Sequence, residues 1–383
     1  MNMNSSKYLR ELFIQFFVDR SHLRVPPCPV IVKHSLYNQS DFICAGVQQF
    51  VPIIIGEREP PANRLVNSQN CIRLNDQNLV GYDDQHHTFF EMLGNWSFGD
   101  YSKEEALIFA WEFLTKTLSI NPSYLYITYF CGDEFHEADT ETKEIWEKIG
   151  VPATNLLPCN AGQNFWSLGD IGPFGTCSEI YFDRQMLKKE DKSTSFQIPI
   201  NVESPTLMEL WNIGCNSVYE TDLFKPLIER ISELSFRKLI YQGNWGNGDI
   251  NGKDTAFRIV SDHIRTIVST FSEGLNITST KKYARKIKDL FKKTTIISNE
   301  KLGLERGSLS KLVPVIIRQL GDAYPVLRIN EEKIIEKVAA EERRTWLQRD
   351  SGFKQMENLL STLPRTRAVP GRQQIYLRIG VQT

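Results

Sequence analysis

The chain has 383 residues, of which 41% are hydrophobic and 24% charged, which is typical of a globular protein with one large and one smaller domain. Its formal net charge of -1 excludes a global basic field, so any RNA contact has to come from a local patch. The 7 cysteines form no C-x-x-C pair, which argues against a disulfide framework and structural zinc and favours a reducing compartment. No apolar run approaches the roughly 18 residues of a membrane span, so we expect no membrane contact.

The first part of the chain predicts a mixture of helices and strands. Residues 6–18 carry apolar side chains at helical spacing, which predicts an amphipathic helix that ends before Pro26. Short apolar runs at 30–32, 42–44 and 51–55 predict strands or strand edges. A second helix is predicted over 103–115, and a buried strand over 125–130.

The composition changes after the stretch 243–252, which is rich in glycine and asparagine and predicts a linker. Helical patterns then cover 255–271, 281–291, 309–320 and 331–356. The second of these helices is strongly basic, with Lys281, Lys282, Arg285, Lys286 and Lys288. A charge run is usually a solvated helix face, and phosphate binding is the alternative. We therefore predict a first domain over 1–245, a helical domain over 254–360 and a peripheral tail over 361–383.

Residues 86–101, together with Cys71-Ile72-Arg73 before them, form the most distinctive block of the sequence. This block closely resembles a motif of the alanyl-tRNA synthetase family of class II. Further blocks keep the order of the family at 164–166, 177–180, 211–213, 219–224, 262–265 and 312–315. The resemblance implies an α+β fold, with a class II antiparallel sheet flanked by helices, followed by an all-helical domain for the acceptor stem of tRNA. It also implies a role in protein biosynthesis, as an alanine-tRNA ligase that uses ATP and Mg2+ to activate alanine for transfer to tRNA(Ala).

The resemblance assigns roles around ATP to Arg73, His87 and Phe90. A fixed guanidinium on a strand suits the charge that develops on the α-phosphate, so Arg73 is the catalytic candidate. His87 resembles a residue that contacts ATP, and Phe90 resembles the ring on which adenine stacks. From the residues alone, Arg73 is equally a surface arginine and His87 a core residue, and alternation requires that one of Phe89 and Phe90 points inward.

The remaining ATP and alanine candidates also follow from the resemblance. Leu210, Trp211 and Asn212 match a segment that contacts ATP, and Trp166 matches a tryptophan that walls the pocket for ATP and alanine. Asn212 matches a residue that also contacts alanine. A rigid ring that closes a small pocket suits alanine, because bulk excludes larger side chains. Taken alone, a tryptophan or a buried asparagine is more often structural.

In the helical part, the resemblance implies that Asp262, Arg265, Lys282 and Arg285 bind tRNA. We expect a monomer, because the resemblance ends before the C-terminal oligomerisation domain of the family. We expect a cytoplasmic protein because no arginine- and serine-rich presequence precedes the matched region, with the mitochondrion as the alternative.

The sequence departs from the family pattern at three places. Residues 211–213 lead almost directly to 219–224, where the family has a long segment with its third motif, so we place a deletion near 213–216. The glycine-rich loop expected after Arg73 is short, and Ser279-Thr280-Lys281-Lys282 replaces the turn that reads a G:U pair. Gly303-Leu304-Glu305-Arg306 spells the end of the missing motif, but its surroundings favour coincidence. The alternative function is therefore a catalytically inactive paralogue or splice form that binds tRNA or a protein partner.

Overall fold

The structure is a computed structural model that describes residues 5–32, 41–83, 85–167, 174–184, 207–210, 219 and 221–362, with side chains to residue 358. Its helices are α1 (Ser6–Val18), α2 (Val51–Ile54), α3 (Lys103–Glu112), α4 (Thr140–Ile149), α5 (Ala161–Asn164), α6 (Lys225–Leu234), α7 (Lys253–Ser272), α8 (Lys282–Glu300), α9 (Val313–Leu320), α10 (Pro325–Ile329) and α11 (Glu331–Thr362). Its strands are β1 (Leu23–Arg24), β2 (Arg64–Ile72), β3 (Phe89–Ser97), β4 (Leu125–Phe130), β5 (Leu156–Cys159), β6 (Phe165–Ser167), β7 (Phe174–Thr176), β8 (Ile180–Asp183) and β9 (Leu207–Glu209).

The strands form two larger sheets and one hairpin. The first sheet has the order β1-β2-β3, and β2 pairs with β3 antiparallel so that Cys71 faces Phe90. The second sheet has the order β5-β4-β8-β9, and β6 pairs with β7. The fold is therefore α+β, as predicted. The expected antiparallel sheet is mixed, because β1 runs parallel to β2 and β5 runs parallel to β4 after the crossover through α4.

Most predicted elements are present, with three corrections. The predicted strand at 51–55 is wrong, because Pro52 lies in the first turn of α2, where its fixed φ fits and its missing N–H costs nothing. The runs at 30–32 and 42–44 meet only as a single bridge between Ile31 and Phe42. Helix α8 continues to Glu300, well beyond the predicted end at 291. The predicted tail over 361–383 lies, apart from the last two residues of α11, outside the described residues.

The largest hydrophobic cluster joins the first sheet to the helices. It contains Ile72 and Phe89 from β2 and β3 together with Phe257 and Ile264 from α7 and Val338 from α11. A second cluster packs α1 and α3 onto the second sheet. The predicted linker is packed against α7: Trp245 lies 3.7 Å under the Arg258 guanidinium. None of the helices in the described part is long and apolar enough to cross a membrane.

Candidate functional site

Arg73 lies directly after β2 and is held at both its main chain and its side chain. Its N–H donates to the Thr88 carbonyl at 3.1 Å. Its Nε donates to the Cys44 carbonyl at 3.0 Å, and its guanidinium carbon lies 5.1 Å from the centre of the Phe90 ring. Within the part of the chain that the structure describes, the two terminal nitrogens of this exposed guanidinium have no hydrogen-bond or ion-pair partner. The arginine therefore presents two fixed donors to an incoming anion.

Phe89 and Phe90 point to opposite sides of β3, as the alternation predicts. Phe89 is fully buried in the cluster shared with the helices, whereas Phe90 is half-buried on the side of Arg73. The prediction that one of the two is a core residue is confirmed. Phe90 thus offers a ring beside the guanidinium, an arrangement on which a planar base can stack.

Two partly buried carboxylates lie close together at the second sheet, and one of them, Glu209, lies within electrostatic reach of Arg73. Glu209 ends β9, Glu179 precedes β8, and Tyr181 between them donates its hydroxyl to Glu179 at 2.7 Å. Burial raises the pKa of Glu209, the charge of Glu179 raises it further, and the charge of Arg73 lowers it. Burial also raises the pKa of Glu179. Two partly buried carboxylates that repel each other form a setting in which a bound cation is stabilised.

Sequence reasoning did not select Glu179 and Glu209 as site residues. The sequence did contain a signal for both acids. Glu179 lies inside the matched block 177–180, and Glu209 directly precedes the matched segment 210–212. An acidic residue at the edge of a short apolar strand is either a solvated strand end or a site residue. Their partial burial, and the electrostatic interaction of Glu209 with Arg73, favour the second interpretation.

Trp166 lies on the β6-β7 hairpin, which is tied to Glu179 through one threonine. Asn164, directly before β6, donates to Thr128 Oγ1 at 2.8 Å, and the same oxygen accepts the N–H of Glu179 at 3.1 Å. The Trp166 ring is 36% exposed, so it is not a core residue. No contact joins it to Arg73 within the described part, and the hairpin instead places it on the Glu179 side.

His87 lies on the opposite side of β3 from Phe90. Its ring centre lies 5.5 Å from that of Tyr219 and 5.4 Å from that of Phe224, and its Nδ1 is 3.4 Å from the Asp262 carboxylate. Both ring nitrogens are shielded from solvent. Like Phe89 two residues later, His87 faces the helices, and the structure does not bring it together with Arg73. Leu210 is likewise a core side chain, 3% exposed, while Trp211 and Asn212 lie outside the described residues.

The four residues expected to bind tRNA fall into two groups. Lys282 and Arg285 are exposed on α8, where Ala284 and Ile287 form the buried face. Asp262 and Arg265 are 0% and 2% exposed on α7. A nucleic acid at the surface cannot reach these two side chains in this structure, because α7 is covered along nearly its whole length.

Comparison with known proteins identifies the family. The profile described as "tRNA synthetases class II (A)" matches residues 8–215 and 213–378. The chain belongs to this class II (A) synthetase family. Curated relatives include the alanine-tRNA ligase of Bacteroides fragilis, 33% identical over 94% of this chain and 44% of the relative. They also include the mitochondrial alanine-tRNA ligase of Saccharomyces cerevisiae, 33% identical over 95% of this chain and 41% of its own. The cytoplasmic alanine-tRNA ligase of Drosophila melanogaster is 32% identical over 97% of this chain and 42% of its own.

This class II (A) synthetase chain spans less than half the length of these relatives. It also lacks positions inside the matched region: the alignments run over 401, 414 and 417 positions, more than the 383 residues of the whole chain. The two segments matched by the family profile meet at 213–215. This position agrees with the deletion near 213–216 that the sequence predicts.

Proposed function

We propose that this chain carries out the alanine-tRNA ligase reaction: it activates alanine with ATP and transfers the alanyl group to tRNA(Ala). In the first step, a carboxylate oxygen of alanine bonds to the α-phosphorus of ATP, and the bond to the bridging oxygen breaks, so that pyrophosphate leaves. The observation that carries the proposal is the anchored Arg73 guanidinium beside the Phe90 ring; its two terminal nitrogens have no partner among the described residues. The relatives named alanine-tRNA ligase, which align with most of this chain, support it.

In this proposal Arg73 is the catalytic residue and Phe90 holds the base. The Cys44 carbonyl fixes Nε, which leaves the terminal nitrogens to donate to the α-phosphate as its charge increases. Stacking of adenine on Phe90 would contribute roughly 1–3 kcal/mol. His87 and Leu210 would act on ATP through the strands that carry Phe90 and Glu209, because both side chains are largely buried.

Magnesium binding fits the two neighbouring acids Glu179 and Glu209. Mg2+ is usually bound by one or two carboxylates together with substrate phosphates, and Glu179 and Glu209 are two such groups. A bound Mg2+ would neutralise the polyphosphate and relieve the repulsion between the two acids. Among the described residues, Arg73 is the cation that lowers the pKa of Glu209.

For the amino acid, the exposed Trp166 ring beside the Glu179 strand would wall a small pocket. Asn212 and Trp211 would complete it, as the resemblance implies. We assign tRNA binding to the helical part over 254–360, with Lys282 and Arg285 on phosphates. We propose the cytoplasm as the compartment of this activity, with the mitochondrion as the alternative; the relatives include enzymes named for each compartment.

The test is alanine-dependent exchange of pyrophosphate into ATP. We expect exchange in the unmodified chain and a loss of about 100-fold or more in Arg73→Ala, since removal of one fixed donor to a developing charge typically costs that much. Arg58→Ala, another exposed arginine, serves as the control and should keep the full rate. Equal rates in Arg73→Ala and the unmodified chain would remove Arg73 from the mechanism.

A second candidate function is tRNA binding without chemistry. It is favoured by the alignments that exceed the length of the chain and by the break in the family match at 213–215. Retention of tRNA(Ala) on a filter, with no alanine-dependent exchange under any condition, would support this function over the ligase. Exchange that depends on both alanine and Arg73 would support the ligase.

A further inference from the structure

Asp262 is a fully buried acid whose bonds reach the start of β3. It lies on α7 and is 0% exposed. Its two carboxylate oxygens each accept the N–H of Thr88 at 3.1 Å, and Oδ2 accepts the Thr88 hydroxyl at 2.5 Å. The Thr266 hydroxyl, one turn further along α7, lies 2.6 Å from the same Thr88 oxygen. Three of the contacts of Thr88 therefore lead to one buried carboxylate.

The other side of Thr88 is bonded to Arg73. The Thr88 carbonyl accepts the Arg73 N–H at 3.1 Å, directly beyond the last paired residues of the β2-β3 ladder, Ile72 and Phe89. Thr88 therefore bonds to Asp262 through its N–H and to Arg73 through its carbonyl. A shift of Thr88 moves both the main chain of Arg73 and, two residues on, the ring of Phe90.

Burial of a charge here requires a reason, because an ionised carboxylate is costly to bury unless it is fully bonded. Burial by itself would raise the pKa of Asp262, but its interactions with His87 and Thr88 more than offset this, so the pKa is lowered and the group is charged. Capping the N–H at the start of a strand needs only one acceptor. Asp262 instead accepts three bonds from Thr88 through its two oxygens, which fixes the position of Thr88 more strictly than a single cap would.

We propose that Asp262 is a positioning residue for Arg73: through Thr88 it holds the start of β3 so that the guanidinium and the Phe90 ring face the same ligand. The inference rests on the proposed function, because the ligand is the nucleotide. It assigns Asp262 a role inside the protein, in place of the direct tRNA contact expected from the sequence.

The first measurement needs no ligand. Hydrogen exchange of the Arg73 amide is compared in the full chain, in Asp262→Asn and in the milder Thr88→Val, which loses only the two hydroxyl bonds, to Asp262 and Thr266. The control is Thr270→Val, a buried position on α7 whose hydroxyl bonds stay within the helix. We expect exchange at Arg73 to be faster by about tenfold in Asp262→Asn and less so in Thr88→Val, with no change in the control. Unchanged exchange at Arg73 in both variants would overturn the proposal.

The second measurement is a double-mutant cycle on the Kd for ATP. Asp262→Asn should weaken ATP binding by about tenfold in the presence of Arg73 and by less than about twofold in Arg73→Ala, because the loss acts through Arg73. A purely structural role predicts the same loss in both backgrounds, and that result would overturn the proposal. If the unmodified chain binds no ATP, the proposed function fails, and the exchange measurement still supports or overturns the link from Asp262 to Arg73.

Discussion

Arg10 and Glu91 form a buried, two-pronged ion pair between α1 and β3. The Nε and a terminal nitrogen of Arg10 donate to the two carboxylate oxygens at 2.8 and 2.6 Å, and the side chains are only 5% and 11% exposed. The Tyr324 hydroxyl, from the segment before α10, donates to the same carboxylate at 2.7 Å. Burial by itself would raise the pKa of Glu91, but Arg10 more than offsets it, so the pKa is lowered. One acid next to Phe90 therefore joins the first helix, the first sheet and the helical part.

Glu91→Gln should lower the free energy of unfolding by about 3–5 kcal/mol, because it leaves the buried Arg10 without a counter-charge. Denaturant unfolding of the two chains measures this loss. The matched control is Asp350→Asn, which breaks an equally two-pronged pair with Arg306 at 2.6 and 3.0 Å on the surface. The control should leave the midpoint unchanged, since water screens an exposed pair. Equal losses in the two variants would show that burial does not set the contribution of Glu91.

The stability of the protein should fall between pH 6.5 and about 4 because of His263. This residue is fully buried on α7, and burial lowers its pKa from 6.5 to about 4. The folded pKa lies below the unfolded one, so the unfolded chain takes up the proton first, and stability is lost as the pH falls through this window. The expected loss is on the order of 3 kcal/mol.

The measurement for His263 is the free energy of unfolding against pH in the unmodified chain and in His263→Gln, which cannot titrate in this window. The difference between the two curves should shrink or reverse from pH 7 to pH 4. Acids with raised pKa values, such as Glu342, stabilise the folded state as the pH falls, which is opposite to the effect of His263. Because these acids are present in both proteins, their contribution cancels in the difference between the two curves. Asp262 does not interfere, because its lowered pKa confines its effect to pH values below its ordinary 3.8. Parallel curves would show that His263 does not cause the loss of stability between pH 6.5 and about 4.

The order of the elements and the placement of Phe89 and Phe90 on opposite sides of β3 were predictable because both depend on local periodicity. The stripe of α1 and the alternation of Phe89 and Phe90 are set by residues a few positions apart. The strand predicted at 51–55 was wrong because an apolar run carries no period, and only Pro52 distinguishes a short helix from a strand.

The burial of Asp262 and Arg265 was missed because charged residues on a helix suggest a surface. The signal to the contrary lay in the rest of α7, where apolar residues and small hydroxyl residues occur on all sides, as in a helix enclosed by protein. The electrostatic interaction between Glu209 and Arg73 could not be predicted from the sequence, because it depends on how the two sheets approach each other.

Gly81→Ala should destabilise the protein by about 1–3 kcal/mol more than Gly56→Ala. Both glycines have positive φ, +88° and +79°, so the backbone strain of an alanine is similar at the two positions. At Gly81 an added Cβ would lie 2.8 Å from Ile259 on α7, whereas at Gly56 nothing lies within 4 Å. The Gly81 backbone cannot retreat freely, because its carbonyl accepts Nε of the buried Arg258 at 2.7 Å. Thermal unfolding of both variants measures the difference, and equal shifts in Tm would show that α7 does not pack closely against this loop.

The basic face of α8 should bind tRNA through phosphate contacts. Lys282 and Arg285 lie on the exposed side of a helix whose other side is anchored in the core by residues such as Phe291. Neutralised phosphates release counterions, so each such contact steepens the decrease of affinity with salt. The variant Lys282→Ala with Arg285→Ala should therefore weaken tRNA(Ala) binding and reduce the slope of log affinity against log salt by about 2.

Lys333→Ala, an exposed lysine on α11, is the control and should leave both the affinity and the slope unchanged. Filter binding at several salt concentrations separates the outcomes. A loss of affinity with an unchanged slope would indicate damage to the fold instead of lost phosphate contacts, because only the number of phosphates contacted sets the slope. Equal slopes for the α8 variant and the control would mean that tRNA binds elsewhere, and that the charges of α8 form only a solvated helix face.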